Sequence, residues 1–353
     1  MAHPVVITVL SGDELDGVRR YGRRLAEERA ALGRPTSVVE LAEPPGGWSG
    51  ALAGVDAVHL HLSDRLHDEA PERWAELRRA IRASGAATVV TLHDVPHDAE
   101  GADRAARRRP AYAHLASGAD LVVVSSRHER AALAAAGVDA EVVAHPLLLD
   151  AAPTGAPSAE ERAELRTIVV AGFVHPGKGL LELVDAVGDV RGTALDGWSL
   201  RLVGDATAAH RHHLDEVLDR ARRHGLGAVC TGALGAAAWS AELAAATVPV
   251  APHAHCSASG SLLAWLAAGR RPLTSDHAFA RELAAERPGC LRLVSADGWR
   301  DALLRAAADA DPCELAPPGG DGAIGAGGWR SPRSAVDALD AAVRRRLPAA
   351  APA

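Results

Sequence analysis

Short apolar stretches alternate along this chain with longer segments in which hydrophobic residues recur at helical spacing. Leu180, Leu181, Val184 and Val187, for example, would fall on one face of a helix. Continuously apolar strands that alternate with helices are typical of a parallel sheet covered on both faces. The predicted strands are residues 4–10, 37–41, 57–62, 87–93, 121–126, 141–146, 167–173, 200–205, 228–232, 247–253, 272–276 and 291–295.

The alternation breaks once, in the Pro- and Ala-rich sequence DAAPTGAPSAEE at residues 150–161. A chain of 353 residues is long enough for two cores, so the break predicts two doubly wound α/β domains in tandem. We expect an N-terminal domain at 1–150, a linker at 151–164, a C-terminal domain at 165–328, and a closing helix with a tail at 329–353. Within the third range, the Pro- and Gly-rich residues 317–328 are expected to form a mobile loop.

Composition and charge narrow the classes of partner. The net charge of -7 provides no basic field for nucleic acid or an anionic membrane. No apolar run reaches about 18 residues, so no transmembrane segment is predicted. The apolar N-terminus has no basic flank, which favours a strand over a signal peptide. The four cysteines form no CxxC pair, which indicates reduced thiols and a cytoplasmic protein.

The chain contains 37 arginines, no Asn, no Gln and one lysine, Lys178. That lysine follows a predicted strand in the sequence GFVHPGKG, which leads into a helix. Gly172 and Gly179 would allow close backbone approach, the helix start offers N–H groups, and Lys178 adds a cation. These features predict a phosphate or diphosphate site. The alternative is an ordinary turn whose lysine lies at the surface.

A second helix start of the same kind follows the strand that ends near His253. Its sequence is Ser257-Ala258-Ser259-Gly260-Ser261, which supplies hydroxyl and backbone donors for an anionic oxygen. The alternative is that Ser259 or Ser261 is only an N-cap. Because ligands of doubly wound sheets bind at the carboxyl ends of the strands, two such helix starts in one domain favour one shared anion site.

The seventeen histidines do not indicate a metal site. His59 and His61 alternate along a strand, and the group around His212 lies on a polar helix face, so solvation or packing explains them. No Cys or carboxylate stands at ligand spacing beside them. His93-Asp94 at a strand end is a better candidate for chemistry, because a carboxylate beside an imidazole can set its tautomer.

The motifs resemble, in order and spacing, the family 4 glycosyltransferases of the GT-B architecture, also called glycosyl transferases group 1. The resemblance covers nearly the whole chain and lies in the ordering rather than in one string. The N-terminal segments are DGVRRYGRRLAEERAALG, VDAVHLHL, VVTLHD, ADLVVVSSRHERAALAAAGV and VVAHPL. The C-terminal segments are GFVHPGKGLLELVDAV, LRLVGD, VCTGAL, VPVAPHAHCSASGSLLAWLAAGRRPLTSD and ARELAAERPG.

The resemblance implies two Rossmann-like domains that face each other across a cleft. It further implies transfer of a sugar, with retention, from a nucleotide-diphosphate sugar to an acceptor of unknown identity: a glycan, a lipid-linked molecule or a small molecule. The donor would bind the C-terminal domain and the acceptor the N-terminal one. Neither a cofactor nor a metal is implied, because basic side chains and helix N-termini neutralise the departing diphosphate.

Residue by residue, the resemblance assigns Lys178 and His93 to catalysis. Lys178 would contact the diphosphate, His93 would face the donor sugar, Gly17 would lie against the phosphates, and Leu234 would lie in the segment that passes the base. The full set of residues expected to bind substrate is Gly17, Asp94, Gly172, Gly179, Leu234, His255, Ser257, Ser259, Gly260, Ser261 and Glu282.

The chain departs from the family pattern at three positions. Phe173 replaces a family arginine, and Cys256 and Ala264 replace a pair of glutamates that contact the donor. A divergent enzyme would use His255 and the serines of the 257–261 segment instead. Two other functions stay open: a binding or scaffold protein that kept the fold without catalysis, and a nucleotide-sugar epimerase. Glu282 matches a family carboxylate, with a solvated helix residue as the alternative.

Overall fold

The computed structural model describes residues 3–14, 16–42, 44, 46–149, 155–308 and 329–346, which form two compact units. One unit contains the described residues up to Pro146 together with the C-terminal helix, and the other begins at Leu147. The predicted linker is described from residue 155 onward, whereas its first residues, 151–154, lie outside the described residues. The expected mobile loop at 317–328 and the tail at 347–353 also lie outside the described residues.

Each unit is built on a six-stranded parallel sheet, and every predicted strand is present. The chain therefore has the predicted fold class, two doubly wound α/β domains. The strands of the first sheet are β1 Val6–Leu10, β2 Thr36–Glu40, β3 Ala57–Leu62, β4 Ala87–Leu92, β5 Leu121–Val124 and β6 Glu141–Val142. Those of the second are β7 Thr167–Ala171, β8 Ser199–Val203, β9 Gly227–Cys230, β10 Val248–Ala251, β11 Leu273–Ser275 and β12 Arg292–Val294.

Helices follow most of the strands, as parallel connections require. In the first unit they are α1 Gly17–Ala31, α2 Gly47–Ala51, α3 Asp64–Asp68, α4 Pro71–Ser84, α5 Ala102–Ala116, α6 Arg127–Ala134 and, from the C-terminus, α14 Pro332–Arg346. In the second they are α7 Ala159–Leu165, α8 Leu180–Val187, α9 Arg211–Arg223, α10 Ala236–Ala245, α11 Gly260–Ala267, α12 Ala278–Glu286 and α13 Trp299–Ala308. None of the described helices is long and apolar enough to cross a membrane.

The C-terminal helix is tied to the N-terminal unit by a buried ion network. The carboxylate of Asp340 on α14 is fully buried and accepts from Arg29 on α1 and from Arg34 at 2.8 Å. The ring of His3 completes the contact at 3.2 Å. Because a buried carboxylate needs such partners, this network fixes α14 to a unit from which it is far removed in sequence.

The strand order identifies where a ligand would bind in the second sheet. That order is β12-β11-β10-β7-β8-β9. From β7 the chain first adds β8 and β9 on one side of that strand, and it then returns to add β10, β11 and β12 on the other side. In doubly wound sheets the crevice outside the carboxyl ends of the strands at such a reversal is the usual ligand site. Here it lies where β7 and β10 end, which are the strands before Lys178 and before the 257–261 segment.

Candidate functional site

Lys178 is buried at the carboxyl edge of the second sheet. The chain leaves β7, turns through Gly172 and Phe173, and forms a short 3-10 helix, Pro176–Lys178. The Lys178 side chain is only 3% exposed, and its Nζ donates to the Ser261 Oγ at 3.2 Å. The two predicted anion-binding segments therefore meet, and the alternative of a surface lysine is wrong. Phe173, by contrast, is 42% exposed.

Gly172 leaves the space that Lys178 occupies. Its φ is 102°, a conformation that L side chains rarely adopt, and a Cβ there would lie 2.6 Å from the Lys178 Nζ. Gly204, which follows β8, has a φ of 138° and would place a Cβ 2.5 Å from the Gly172 carbonyl oxygen. Two glycines thus bring the ends of β7 and β8 together and keep the lysine cavity open.

Gly179 joins the lysine turn to the loop after β10. Its φ is 75°, and an added Cβ would lie 2.1 Å from the backbone oxygen of Pro252. No side chain fits at that distance, so the start of α8 can reach this loop only through glycine. The sequence prediction of close backbone approach at Gly172 and Gly179 agrees with this geometry.

The serine segment forms the start of α11. Ser259 is the N-cap, and its Oγ accepts from the Leu262 N–H at 3.1 Å and lies 3.3 Å from the Ser261 Oγ. Ser257 and Ser259 are buried, whereas Gly260 is exposed. Ser259 therefore acts as the predicted cap, while Ser261 points its hydroxyl at Lys178. The first N–H groups of a helix lack intrahelical acceptors and carry the positive end of its dipole.

The electrostatic surroundings of Lys178 favour an anion. Burial lowers the pKa of Lys178 to about 7. Burial and the nearby Lys178 also lower the pKa of His175 to about 4, and they hold the pKa of His253 well below its usual value. Within the described parts of the chain, Lys178 forms no ion pair with a carboxylate, and the buried Nδ1 of His253 has no hydrogen-bond partner. An anionic oxygen would satisfy these groups together.

Not every residue predicted to bind substrate lies in this cluster. His255 is half-buried and close enough to lower the pKa of His253. Leu234 lies in the loop after β9, two strands from β7, and Glu282 lies on α12, which follows β11. Ala264 is buried within α11. The lysine turn and the serine segment thus lie together in one cluster, while Leu234 and Glu282 lie on other elements. The binding roles of all these residues stay predictions.

His277 is part of the site but was not among the predicted residues. It caps α12, because its Nδ1 accepts from the Ala280 N–H at 3.2 Å. Its Nε2 lies 3.5 Å from the Sγ of Cys256. The sequence signal was available, since His277 directly follows a predicted strand and precedes a helical segment, which is an N-cap position.

A second cluster, called here the histidine core, lies inside the N-terminal unit at the ends of β3, β4 and β6. It consists of His59, His61, His93, His145 and Tyr21. The His61 Nδ1 lies 3.2 Å from the His93 Nε2, and the His59 and His61 rings are 4.2 Å apart. Tyr21 lies with its ring centre 4.7–5.4 Å from those of His61, His93 and His145. Packing of the rings within this core thus accounts for the presence of His59 and His61 on β3.

The partner of His93 differs from the one expected. No hydrogen bond joins its ring to Asp94 among the described residues; His61 holds the ring instead. Asp94 is exposed and has a φ of 54°. Tyr112 donates to the carbonyl oxygens of His93 and Asp94 at 2.6 and 2.9 Å, and Arg108 donates to that of Asp94 at 2.8 Å. The backbone at both residues is therefore held by hydrogen bonds from side chains of α5.

In the described part of the chain, no hydrogen bond or ion pair joins the remaining N-terminal candidates to the side chains of the histidine core. Gly17 is the first residue of α1, and a Cβ there would meet open space. Two arginines on α1 and α5 are in ion pairs: Arg19 is paired with Glu40, and Arg108 with Asp64 and Glu100. These arginines are already neutralised by carboxylates. Within the described residues, no three His, Cys, Asp or Glu side chains are placed to hold a metal ion.

Comparison with protein-family models and with curated proteins gives no match for this sequence. Solved structures do match over almost the full length. Anabaena HepE, solved with UDP and glucose, is similar with a TM-score of 0.63 and 15% identity, covering 98% of this chain and 96% of that one. Sucrose-phosphate synthase from Thermosynechococcus elongatus has a TM-score of 0.64 and 17% identity, with coverages of 97% and 94%.

A third similar structure is the lipopolysaccharide outer core galactosyltransferase WaaB, in its apo form. Its TM-score is 0.58 at 15% identity, and the match covers 97% of this chain and 99% of that one. These proteins are GT-B glycosyltransferases, so the chain shares the two-domain GT-B fold. At such identities the likeness establishes the fold, and the site must carry the argument for function.

Proposed function

We propose that the chain is a glycosyltransferase that takes a sugar from a nucleotide-diphosphate donor bound at Lys178. The observation that carries the proposal is a buried lysine, at the strand-order reversal of a GT-B fold, that pairs with no carboxylate among the residues the structure describes. Such a cation, next to the start of α11, suits the diphosphate of a nucleotide sugar. UDP is the first nucleotide to test, since HepE was solved with UDP and with UDP-glucose.

In the proposed reaction a nucleophilic oxygen of the acceptor forms a bond to the anomeric carbon of the sugar and loses its proton to the departing diphosphate. The bond between the sugar and the diphosphate breaks, and its electron pair leaves with the diphosphate. Lys178, Ser261 and the N–H groups at the start of α11 would stabilise the developing negative charge, which is the largest single contribution in many such sites. The protein's own groups thereby supply the positive charge that the departing diphosphate needs. We therefore propose that the enzyme is active without a metal ion. Retention, membership of family 4 and a cytoplasmic location are further parts of the proposal, which rest on the sequence resemblance.

The N-terminal unit is proposed to bind the acceptor, which we leave as a glycan, a lipid-linked molecule or a small molecule. The roles expected of Gly17, His93 and Asp94 toward the donor stay predictions. Cys256 and the buried Ala264 stand where the family has glutamates, so we propose that His255 and the serines of the 257–261 segment contact the ribose or the sugar instead.

A thermal-shift titration with UDP, GDP, ADP and dTDP tests the donor site. A ligand that binds only the folded protein stabilises it by about 2.7 kcal/mol at a hundred times its Kd. We expect one nucleoside diphosphate to raise Tm in this way, and its monophosphate to raise Tm less because it lacks the second phosphate. If none of the four diphosphates shifts Tm, the chain has kept the fold without the donor site, which is the scaffold alternative.

The pH dependence of diphosphate binding should identify Lys178 as the cation. Its pKa of about 7 means that it is half deprotonated at neutral pH when no ligand is bound. A bound diphosphate favours the ammonium form and raises this pKa. Binding must therefore take up a proton between pH 7 and pH 9, and affinity should fall by up to about tenfold per pH unit across that range.

Isothermal titration calorimetry measures how many protons are taken up when the diphosphate binds. The titrations are run at pH 7.5 and 8.5, each in two buffers of different ionisation enthalpy. His175 and His253 also face the site, but their lowered pKa values place any protonation of them at more acidic pH. Uptake approaching one proton at pH 8.5, with weaker binding, is the expected result. Binding with no proton uptake and no change of affinity would mean that Lys178 does not contact the diphosphate.

A further inference from the structure

A row of histidines extends from the lysine turn along the carboxyl edge of the second sheet. The loop after β10 contributes His253 and His255, the lysine turn contributes His175, and the segment between β8 and α9 contributes His210. We call these four residues the histidine row. The three strands are neighbours in the order β10-β7-β8, and neighbouring strands lie about 4.8 Å apart, so the row spans about 10 Å. That is longer than a diphosphate, whose two phosphorus atoms share one bridging oxygen.

His253 lies directly against the lysine turn. Gly179 follows Lys178, and a Cβ on it would lie 2.1 Å from the Pro252 oxygen and 3.6 Å from the Ala254 nitrogen. Those two backbone atoms flank His253. This histidine is only 7% exposed, and its buried Nδ1 has no hydrogen-bond partner among the residues that the structure describes. Because buried polar atoms are nearly always hydrogen-bonded, such an atom beside a candidate anion site indicates a ligand.

His175 and His210 form the outer part of the row. The His175 carbonyl oxygen accepts from the Lys178 N–H at 3.0 Å, which fixes His175 to the lysine turn. The Val174 N–H donates to the Asp205 carbonyl oxygen at 2.9 Å, so this turn is also tied to the segment that carries His210. The two half-buried rings lie 6.4 Å apart, centre to centre, at an angle of 45°. In the described part of the chain, neither ring takes part in a hydrogen bond or an ion pair.

The groups that act most strongly on the rings of His175 and His253 are basic. Burial lowers the pKa of both rings, and Lys178 lowers them further. Neighbouring histidines add to this effect, namely His175 itself, His210, His213, His255 and His277.

Carboxylates face the outer end of the row. Burial lowers the pKa of His213 on α9, while Glu216 and Glu182 oppose that change. The carboxylate of Asp205 is paired with Arg211 at 3.0 Å. Among the described residues, no carboxylate pairs with His175, His253 or Lys178, so these three groups lack a counter-ion there.

We propose that the histidine row binds a second anionic group of the substrates, a carboxylate or a phosphate, beside the diphosphate held by Lys178. This second site rests on the proposed function and restricts the substrates to those that carry an acidic group besides the diphosphate. Two sources supply such a group: the donor sugar, as in a hexuronic acid, or the acceptor, as in a sugar phosphate. His175 and His210 contact this group, while Ser261 and the start of α11 contact the diphosphate.

An anion suits the row better than a neutral sugar hydroxyl does. Basic groups of like charge oppose one another's protonation, so His175 and His253 stay neutral while the site is empty. An ionised carboxylate accepts hydrogen bonds and donates none, and it favours the protonated form of each ring that it contacts. The resulting charge-assisted hydrogen bonds are about twice as strong as those between neutral groups. A neutral hydroxyl gives the rings no such gain.

Inorganic phosphate, titrated into the full-length protein saturated with UDP, tests the row directly. UDP stands here for the nucleotide that the thermal-shift titration selects. Because UDP then occupies the site at Lys178, phosphate is left to bind at the row. We expect a saturable rise in Tm beyond that given by UDP alone, since the second ligand also binds only the folded protein. Chloride at the same ionic strength should not give this rise.

UDP-glucuronate and UDP-glucose identify the source of the second group. They differ in a carboxylate that replaces a hydroxymethyl group on the sugar. If the donor supplies the group, UDP-glucuronate should bind about tenfold more tightly, as expected for one hydrogen bond to a charged group. Phosphate should then add nothing to the UDP-glucuronate complex. If the acceptor supplies the group, the two donors bind equally and phosphate binds to both complexes.

His210→Gln assigns the binding to the row. Glutamine keeps a polar side chain but cannot take up a proton, so we expect the phosphate effect and any preference for UDP-glucuronate to fall several-fold. His175→Gln should act in the same way and provides a second variant. His212→Gln is the matched control, because His212 is exposed two residues further along the chain and should leave both effects unchanged. Circular dichroism reports whether each variant is folded.

The outcomes separate the second site from the proposed function. If UDP binds, phosphate adds nothing to its complex and the two donors bind equally, the second site is overturned while the proposed donor site stands. Effects that persist in both His210→Gln and His175→Gln also overturn it. If none of the four nucleoside diphosphates binds, the proposed donor site fails and the second site fails with it.

Discussion

Acidification to about pH 5 is expected to unfold the N-terminal unit, because its histidine core cannot accept protons without losing its packing. Burial lowers the pKa of His59 and of His93 to about 3 and that of His145 to about 4, and it holds the pKa of His61 well below its usual value. His61 and His93 are 3.2 Å apart, so the protonation of one opposes that of the other.

The direction in which pH changes the stability follows from the pKa of each histidine ring in the unfolded and in the folded protein. In the unfolded chain a histidine has a pKa near 6.5, while in the folded unit the pKa lies far lower, so the folded unit favours the neutral ring. The stabilisation is complete above about pH 6.5 and is lost as the pH falls toward the folded-state values. At pH 5 each ring has lost about 2 kcal/mol, and three such rings approach the whole stability of a domain, about 5–15 kcal/mol.

Urea unfolding between pH 7 and 5, followed by circular dichroism, measures this loss. Below about pH 6, the free energy of unfolding should fall by about 1.4 kcal/mol per pH unit for every buried neutral histidine. His59→Gln keeps a polar partner for the Thr91 Oγ1, which lies 2.7 Å from the His59 Nε2, and should reduce the slope by one proton.

His212→Gln is the matched control, because His212 is exposed on α9 and its removal should leave the slope unchanged. Equal slopes for the wild type and His59→Gln would mean that His59 takes up no proton on unfolding. The acid sensitivity of the unit would then have to come from other groups.

The fold was predictable because its signals are local and repeated. Inner strands such as β1, β5, β7 and β10 are short apolar runs, and burial on both faces of a parallel sheet requires such runs. The sequence does not contain the strand order, which depends on which crossover each helix makes. It also left open how α14 attaches, since the contact between Asp340 and Arg29 joins residues 311 positions apart.

The candidate site was predictable at positions where a constraint on the backbone requires one particular residue type. Gly172 and Gly179 were identified because close approach demands glycine, and Lys178 because it is the one lysine in the chain. The partners of side chains were harder to predict. The pairing of His93 with His61, and of Cys256 with His277, depends on rotamers and strand register, which no spacing in the sequence encodes.

The presence of lysine at position 178, in a chain that otherwise uses arginine, has a steric explanation. A Cβ on Gly172 would lie only 2.6 Å from the Lys178 Nζ, so the cavity holds a compact ammonium closely. The planar guanidinium of arginine is larger and presents its donors in a rigid fork. We therefore expect Lys178→Arg to restore little of the function that is lost in an uncharged variant.

Lys178→Met should lose about two or more orders of magnitude in turnover, the range found when one charge-stabilising donor is removed. Methionine has a similar length and no charge, so the buried position stays filled and Tm without ligand should be equal or higher. Turnover is measured as release of UDP from UDP-glucose, or from whichever donor the thermal-shift titration selects. A folded Lys178→Met protein with turnover within threefold of the wild type would remove Lys178 from the reaction, and the charge of the departing diphosphate would need another partner.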